Sequence, residues 1–394
     1  MRSAEKVHTG IEHARSGVLP AKTRGKHICF VAPHAWPVLS RDPHIQETGG
    51  AEVQQSILAR LFAASGYRVS MITLDYGQPD RVTVDGVTVH KTFTLEEGVP
   101  VLRFVHPRLS SMWRALRAVD ADYYYFRSAG MWLWFINRFC RRHGKRSIYA
   151  GASDKDFVPD IGGQMRYSRD RWLYRRGLAQ VDGIVAQNEY QRETCRATYG
   201  REATLIPSCY ERPAADSAAR LSASRDRVLW VAMIQPNKRP ELLLELAARL
   251  PHRQFVMIGG PRPGCDALFE QIRAQAARLP NVEFKGFQPL AQVEPWFDRA
   301  RVFVNTSAFE GMPNTFLQAW SRGVPTLATV DVGAPSAYTM FQDSAAAAAE
   351  VERLFTDELH WRARANACRS YFDGKYAPES VLAQYDAFFQ GLGA

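Results

Sequence analysis

The chain has only six cysteines in 394 residues: Cys29, Cys140, Cys195, Cys209, Cys265 and Cys368. None forms a C-x-x-C pair and no histidines cluster beside them, which argues against a zinc site and a disulfide framework. Scattered thiols in a chain of this size read as reduced core residues of a cytosolic protein. Long apolar runs are missing as well. No stretch reaches 18 apolar residues, so the sequence predicts no membrane-spanning helix. The longest aromatic run, Met131–Ile136, is too short to cross a bilayer and reads as a buried helix. G-x-G-x-x-G occurs in neither half, which argues against a nicotinamide dinucleotide enzyme.

What is present points to a large α/β protein. At 46% hydrophobic residues the chain can bury the cores of two domains. Residues 1–25 mix charges with Gly and Pro and read as a disordered tail rather than a signal peptide. Apolar strands are expected at His27–Ala32, Arg68–Thr73, Tyr123–Phe126, Arg146–Tyr149 and Gly183–Ala186, with the first domain, 26–211, closing near Thr204–Pro207. Strand, loop, helix, strand is the order of a parallel sheet with right-handed crossovers. Residues 212–226 read as a linker of Pro, Ala, Ser and charge, and a second domain, 227–374, begins with the strand Val228–Ala232. The helix Pro378–Phe389, within 375–394, is aromatic on one face.

Charge divides the chain unevenly. Residues 1–222 hold 32 Lys+Arg against 22 Asp+Glu, whereas residues 223–394 hold 18 of each. This excess fits a solvated basic face or attraction to an anionic lipid surface. No nucleic-acid-binding module occurs, so nucleic acid is not an expected partner.

The stretch Phe309–Pro325, FEGMPNTFLQAWSRGVP, carries the chemistry. The strand Val302–Asn305 precedes it, a helix from Thr315 to Arg322 follows, and Gly323 ends that helix. Pro313 suits the first helical turn, and Gly311 permits unusual backbone and close approach of a ligand. Open N–H groups at Asn314, Thr315 and Phe316 would favour a phosphate. Glu310 would be repelled by that phosphate and suits neighbouring hydroxyls. An ordinary helix cap with a solvent-facing Glu stays open on spacing alone.

In the first domain, Gly49-Gly50 opens a helix to Ser65 where a parallel sheet binds its ligands. Asp154 follows a strand end within Asp154-Lys155-Asp156, and Asn188 follows another; both are expected in the cleft. The D-x-D spacing is weak evidence for a metal, since Asp120-Ala121-Asp122 matches equally well.

EGMPNTFLQAW followed by GVP resembles the C-terminal motif of the retaining GT-B glycosyltransferases, the group 1 or family 4 type. The resemblance runs from about residue 26 to the end and is strongest over 228–330. It implies two Rossmann-like domains facing a cleft, with the last helix crossing back to the first domain. It implies a sugar moved from a nucleotide-diphosphate donor to an acceptor hydroxyl, with the donor as substrate, no cofactor and no metal. Glu310 matches the family's first acid, beside the donor sugar, while Gln318 replaces the second, beside the ribose. The family's loop Arg falls on Met233, its Lys on Lys238, and Arg239 is a candidate replacement for the missing Arg. Catalytic roles thus fall to Glu310 and Lys238, and donor contacts to Gly311, Pro313, Asn314, Thr315, Gln318 and Arg239. The implied acceptor is a saccharide or lipid-linked saccharide of bacterial polysaccharide or glycolipid synthesis, at the inner face of the membrane. A nucleotide-sugar epimerase of the same fold, or a catalytically silent binding protein, remains the alternative. Sugar, base, linkage and oligomeric state are not legible.

Overall fold

The computed structural model describes residues 25–41, 49–99, 104–161, 165, 167–213 and 225–393. The expected tail up to residue 24 and most of the expected linker, 214–224, lie outside the described residues.

The first sheet contains β1 (His27–Val31), β2 (Arg68–Thr73), β3 (Arg81–Val84), β4 (Val87–Lys91), β5 (Tyr123–Arg127), β6 (Arg146–Ala150), β7 (Gly183–Ala186) and β8 (Thr204–Leu205). Their order is β3-β4-β2-β1-β5-β6-β7-β8, and every pair is parallel except β3 with β4. The central strands are apolar and buried along their whole length (HICFV in β1, YYYFR in β5), as strands covered on both faces must be. The β3–β4 hairpin was not expected, although RVTVDGVTV alternates and contains Asp-Gly. Asp85 and Gly86 both take positive φ, 49° and 79°, which a two-residue hairpin turn of this twist requires.

The second sheet contains β9 (Arg227–Val231), β10 (Gln254–Ile258), β11 (Val282–Gly286), β12 (Ala300–Asn305), β13 (Thr326–Ala328) and β14 (Tyr338–Met340), in the order β11-β10-β9-β12-β13-β14, all parallel. In each sheet the chain reverses its direction of strand addition once, between β1 and β5 and between β9 and β12. The crevice outside the carboxyl ends of such strand pairs is where open α/β sheets hold ligands. Both crevices open onto one cleft.

The final helix, Pro378–Gly393, packs on the first domain. Its Tyr385 and Phe389 rings lie 5.3 and 5.7 Å from Phe62, and Phe389 lies 4.9 Å from Tyr123. Tyr125 and Tyr385 hydroxyls meet at 3.2 Å. One apolar core therefore continues from Phe30 and Phe62 through this helix to Phe316 and Trp320 of the second domain. Five of the six cysteines are buried and all are free thiols; burial raises Cys195 to about 11 and Cys368 to about 12.

Candidate active site

Two loops leave the second sheet at its reversal point, and backbone bonds stitch them together. After β9, a single 3₁₀ turn at Pro236–Lys238 brings Lys238 forward, with Lys238 N–H donating to Gln235 O at 2.9 Å. After β12, Thr306 Oγ1 donates to Lys238 O at 2.6 Å and accepts from Trp230 Nε1 at 2.9 Å. Ala308 N–H reaches Asn237 O at 2.8 Å. The consequence is an ion pair between Lys238 Nζ and Glu310 Oε1, which also accepts from Ser307 Oγ at 2.7 Å. The two side chains are only 17% and 14% exposed, so this is not a screened surface pair.

Arg239 is directed elsewhere. In left-handed backbone, φ 44°, its Nε donates to Thr306 O at 2.8 Å and its Nη2 to Ser307 O at 3.1 Å and Thr329 Oγ1 at 2.6 Å. It braces the loop beneath Glu310 and is absent from the cavity lining, where Met233 stands 38% exposed.

The helix after Glu310 runs Asn314–Ser321. Pro313 is its N-cap in extended conformation, ψ 133°, and not a residue of the first turn. Phe316 N–H bonds Pro313 O at 3.1 Å, so two N–H groups, those of Asn314 and Thr315, are left without a partner among the described residues, where three were expected. Gly311 takes no positive φ; a Cβ there would lie 3.6 Å from Asp154 Oδ1, an ordinary contact. Neither backbone conformation nor close approach of the facing domain requires glycine there.

Gln318 is 3% exposed and its Nε2 donates to Glu294 Oε1 at 2.9 Å. Glu294 also accepts from Tyr210 OH and pairs with Arg322, whose Nε binds Asp298 Oδ1 at 2.8 Å. With its amide nitrogen held by a carboxylate, Gln318 keeps its oxygen, an acceptor as a carboxylate would be, for the cavity it lines. The Tyr210 hydroxyl is raised well above its usual value, by burial and then by the Glu294 charge.

The first domain supplies the facing wall. Gly49 caps the helix Gly50–Ala64 in extended conformation, and Gly50 O accepts from Asn314 Nδ2 at 3.2 Å. Gln54 Nε2 donates to Asn314 Oδ1 at 2.8 Å and to Cys209 O at 2.7 Å. Asp154 Oδ1 accepts from Asn188 Nδ2 at 3.0 Å and Gln191 Nε2 at 2.9 Å, facing the Gly311 loop. Asp156 turns inward instead, accepting from Ala152 N at 2.7 Å and Tyr149 OH at 3.2 Å. Burial lifts its carboxyl to about 6 against those hydrogen bonds. The triplet therefore presents one carboxylate, not a pair. Among the described residues no cluster of three or more His, Cys, Asp or Glu is placed to hold a metal ion.

Between the walls lies a cavity of about 480 Å³. It brings together Gly49, Gly50, Lys238, Glu310, Gly311, Pro313, Asn314, Thr315 and Gln318; Asp154 and Asn188 are not in its lining, although Asp154 lies behind Gly311 and accepts from Asn188. It also includes residues that sequence reasoning missed: Gln54, Arg127, Ser208, Gly259, Gly260 and Phe287. Arg127 and Gly259-Gly260 end buried strands, a position that itself marks the binding edge of a parallel sheet. At Gly259 a Cβ would sit 1.8 Å from Ala232 O, so only glycine lets these strand ends close. Glu294, outside this cavity, had no such signal.

Comparison with known proteins matches residues 225–357 to the glycosyl transferases group 1 model and residues 49–208 to a glycosyl transferase 4-like domain. A D-inositol 3-phosphate glycosyltransferase of Frankia alni is 30% identical over 171 residues, 38% of this chain and 42% of that protein. The namesake from Mycolicibacterium vanbaalenii is 31% identical over 147 residues, 34% of this chain and 32% of its own length. The matched part thus spans less than half of these relatives. Among solved structures, a sucrose-phosphate synthase from Thermosynechococcus elongatus superposes with TM-score 0.73 at 18% identity, covering 93% of this chain and 99% of that one. Anabaena HepE, solved with UDP and glucose, gives TM-score 0.68 at 14% identity, covering 93% and 99%. These likenesses are of fold: two parallel-sheet α/β domains with a helical C-terminus.

Proposed function

This chain belongs to the glycosyl transferases group 1, on the GT-B fold, and we propose that it moves a sugar from a nucleotide diphosphate to an acceptor hydroxyl with retention of configuration. One observation carries the reading: Lys238 and Glu310 meet in one cavity beside the two open N–H groups at the start of the helix Asn314–Ser321. Donor entry would exchange partners. The Lys238 ammonium and the helix start take the diphosphate, and Glu310, released from Lys238, orients the sugar hydroxyls. The bond from the anomeric carbon to the diphosphate oxygen then breaks while the acceptor oxygen bonds that carbon on the same face. The acceptor's proton passes to the departing phosphate oxygen. Charge developing on that oxygen meets donors already in place, which is the protein's main contribution. Gln318, held by Glu294, accepts from the ribose.

The acceptor in this reading is a saccharide or lipid-linked saccharide of cell-surface polysaccharide or glycolipid synthesis, held by the first domain. The charge excess of residues 1–222 supports docking on an anionic membrane face. Among the described residues no helix is long and apolar enough to cross a membrane. Binding to anionic vesicles should fall steeply from low to high salt; equal binding to neutral vesicles would remove the membrane from the account.

Met233 in the lining favours a second reading, a silent binding protein that has lost part of its diphosphate site. Incubation with labelled UDP-, GDP- and ADP-sugars separates the two. Slow release of nucleoside diphosphate without acceptor is expected of the transferase. Binding without turnover of any donor would establish the silent protein instead.

A further inference from the structure

Arg127 ends β5, beside β1, at the reversal point of the first sheet. It is 5% exposed and lines the cavity described above. No ion pair holds it among the described residues, although Lys238, the other cation lining the cavity, is paired with Glu310. Its two protein contacts are long: Nη1 to Tyr125 OH and Nη2 to Ser208 Oγ, both at 3.4 Å. Its buried Nε has no partner at all.

The surrounding polar groups bond chiefly to one another. Ser208 Oγ donates to Gln187 Oε1 at 2.6 Å, and Gln187 Nε2 donates to Gly151 O at 2.7 Å. The nearby Asp156 accepts from Ala152, Ser153 and Tyr149 through the same Oδ2. Buried Nε atoms without a hydrogen-bond partner also occur at Arg108, Arg227 and Arg364; Arg127 differs in lining the cavity, and a buried guanidinium is unfavourable without partners for its N–H groups. Asp156 lies within electrostatic reach of Arg127 but makes no hydrogen bond or ion pair with it; what the guanidinium lacks is an anion on its fork, which matches a phosphate or carboxylate with two parallel bonds.

We propose that Arg127 anchors an anion subsite on the first-domain wall, which takes a phosphate or carboxylate carried by the acceptor. The assignment to the acceptor rests on the cleft reading above: Lys238 and the helix start at Asn314 lie on the second domain, whereas Arg127 is rooted in the facing sheet. The donor diphosphate could supply the same chemistry, and the test separates the two sources.

Inorganic phosphate is titrated calorimetrically into the full-length protein, with and without a saturating nucleoside diphosphate (whichever of UDP, GDP and ADP binds). Phosphate should bind in both cases. Arg127→Met should weaken phosphate binding to the nucleotide-saturated protein at least tenfold, with nucleoside diphosphate affinity held within about twofold; without nucleotide it should remove one of two phosphate sites, the other lying at Lys238. Arg127→Lys, which keeps the charge and loses the fork, should fall between them, and it serves as the folded variant if the methionine protein fails to fold. Two results would overturn the proposal. In one, nucleotide blocks phosphate in the parent protein and itself loses affinity in Arg127→Met, placing Arg127 on the donor. In the other, phosphate binding is identical in parent and both variants, leaving no subsite. Failure of every nucleotide to bind would defeat the donor reading alone, since the nucleotide-free titration still reads Arg127.

Discussion

The two walls of the cleft are built by different means. On the second domain the candidate chemistry sits in two short runs, 233–240 and 305–318, joined by main-chain bonds such as Ala308 N–H to Asn237 O. On the first domain it is drawn from a helix start and strand ends scattered over residues 49–54, 127, 152–154, 187–191 and 208. The second-domain wall also carries a paired charge, Lys238 with Glu310, while the first presents the unpaired Arg127. Under the proposed function the compact loop and helix start of the second wall would take the donor, and the side chains gathered on the first wall would take the acceptor.

The largest expected effect belongs to the second wall. Glu310→Gln should lower transfer by about 2–4 kcal/mol, roughly 30- to 1,000-fold in turnover, if the carboxylate orients the sugar in the transition state. Steady-state rates at saturating donor measure it; full activity would reduce the motif to a helix cap. Lys238→Ala should weaken nucleoside diphosphate binding by roughly 1.5–3 kcal/mol, the scale of a charged hydrogen bond. Unchanged affinity in calorimetry would take the diphosphate away from Lys238.

A third prediction sharpens the comparison at the seam between the walls. From sequence alone Gln318→Glu should be tolerated, as it restores the family's acid. The structure reverses that expectation, because the new carboxylate would lie against Glu294, 2.9 Å from the present amide nitrogen. Like charges so close push one carboxyl up by a pKa unit or so, about 1.4 kcal/mol. Gln318→Glu should therefore melt lower and raise the donor KM, and adding Glu294→Gln should restore both. A single variant as good as the parent would show that Glu294 does not position Gln318.

The smallest effect leaves the cleft untouched. His27, buried at the start of β1, is lowered from 6.5 to about 4 by burial and then by the Arg68 charge. The unfolded chain takes this proton first as pH falls, so the stability contribution is present above 6.5 and lost on descending towards 4. Asp156, raised to about 6, works in the opposite sense over part of that window. Only the difference between proteins isolates His27: thermal melts of His27→Gln should depend less on pH between 6.5 and 4 than those of the parent.

Local pattern made much of the fold legible. The strand Arg68–Thr73 and the helix opening at Gly49-Gly50 follow from apolar runs and turn residues read in order. The Lys238–Glu310 neighbourhood followed from its resemblance to a known motif, because its residues are nearly consecutive. The pairing of those two charges did not, since it depends on the bonds that hold loops 72 residues apart. Arg127 was passed over because a terminal arginine on an apolar strand looks like a solvent-facing end, and only the folded chain brings Ser208, 81 residues away, beside it. Glu294 was unreadable for a similar reason: its helix contains Pro295, and only the meeting of Tyr210, Gln318 and Arg322 gives it a role.

Exchange of partners in the cleft predicts what becomes of Lys238 when Glu310 loses its charge. Calorimetric affinity of Glu310→Gln for the nucleoside diphosphate should equal or exceed that of the parent, because the carboxylate that competes for the Lys238 ammonium is gone. A loss of affinity in proportion to the loss of turnover would contradict it, for Glu310 would then be part of the ground-state binding site and the exchange of partners would not occur.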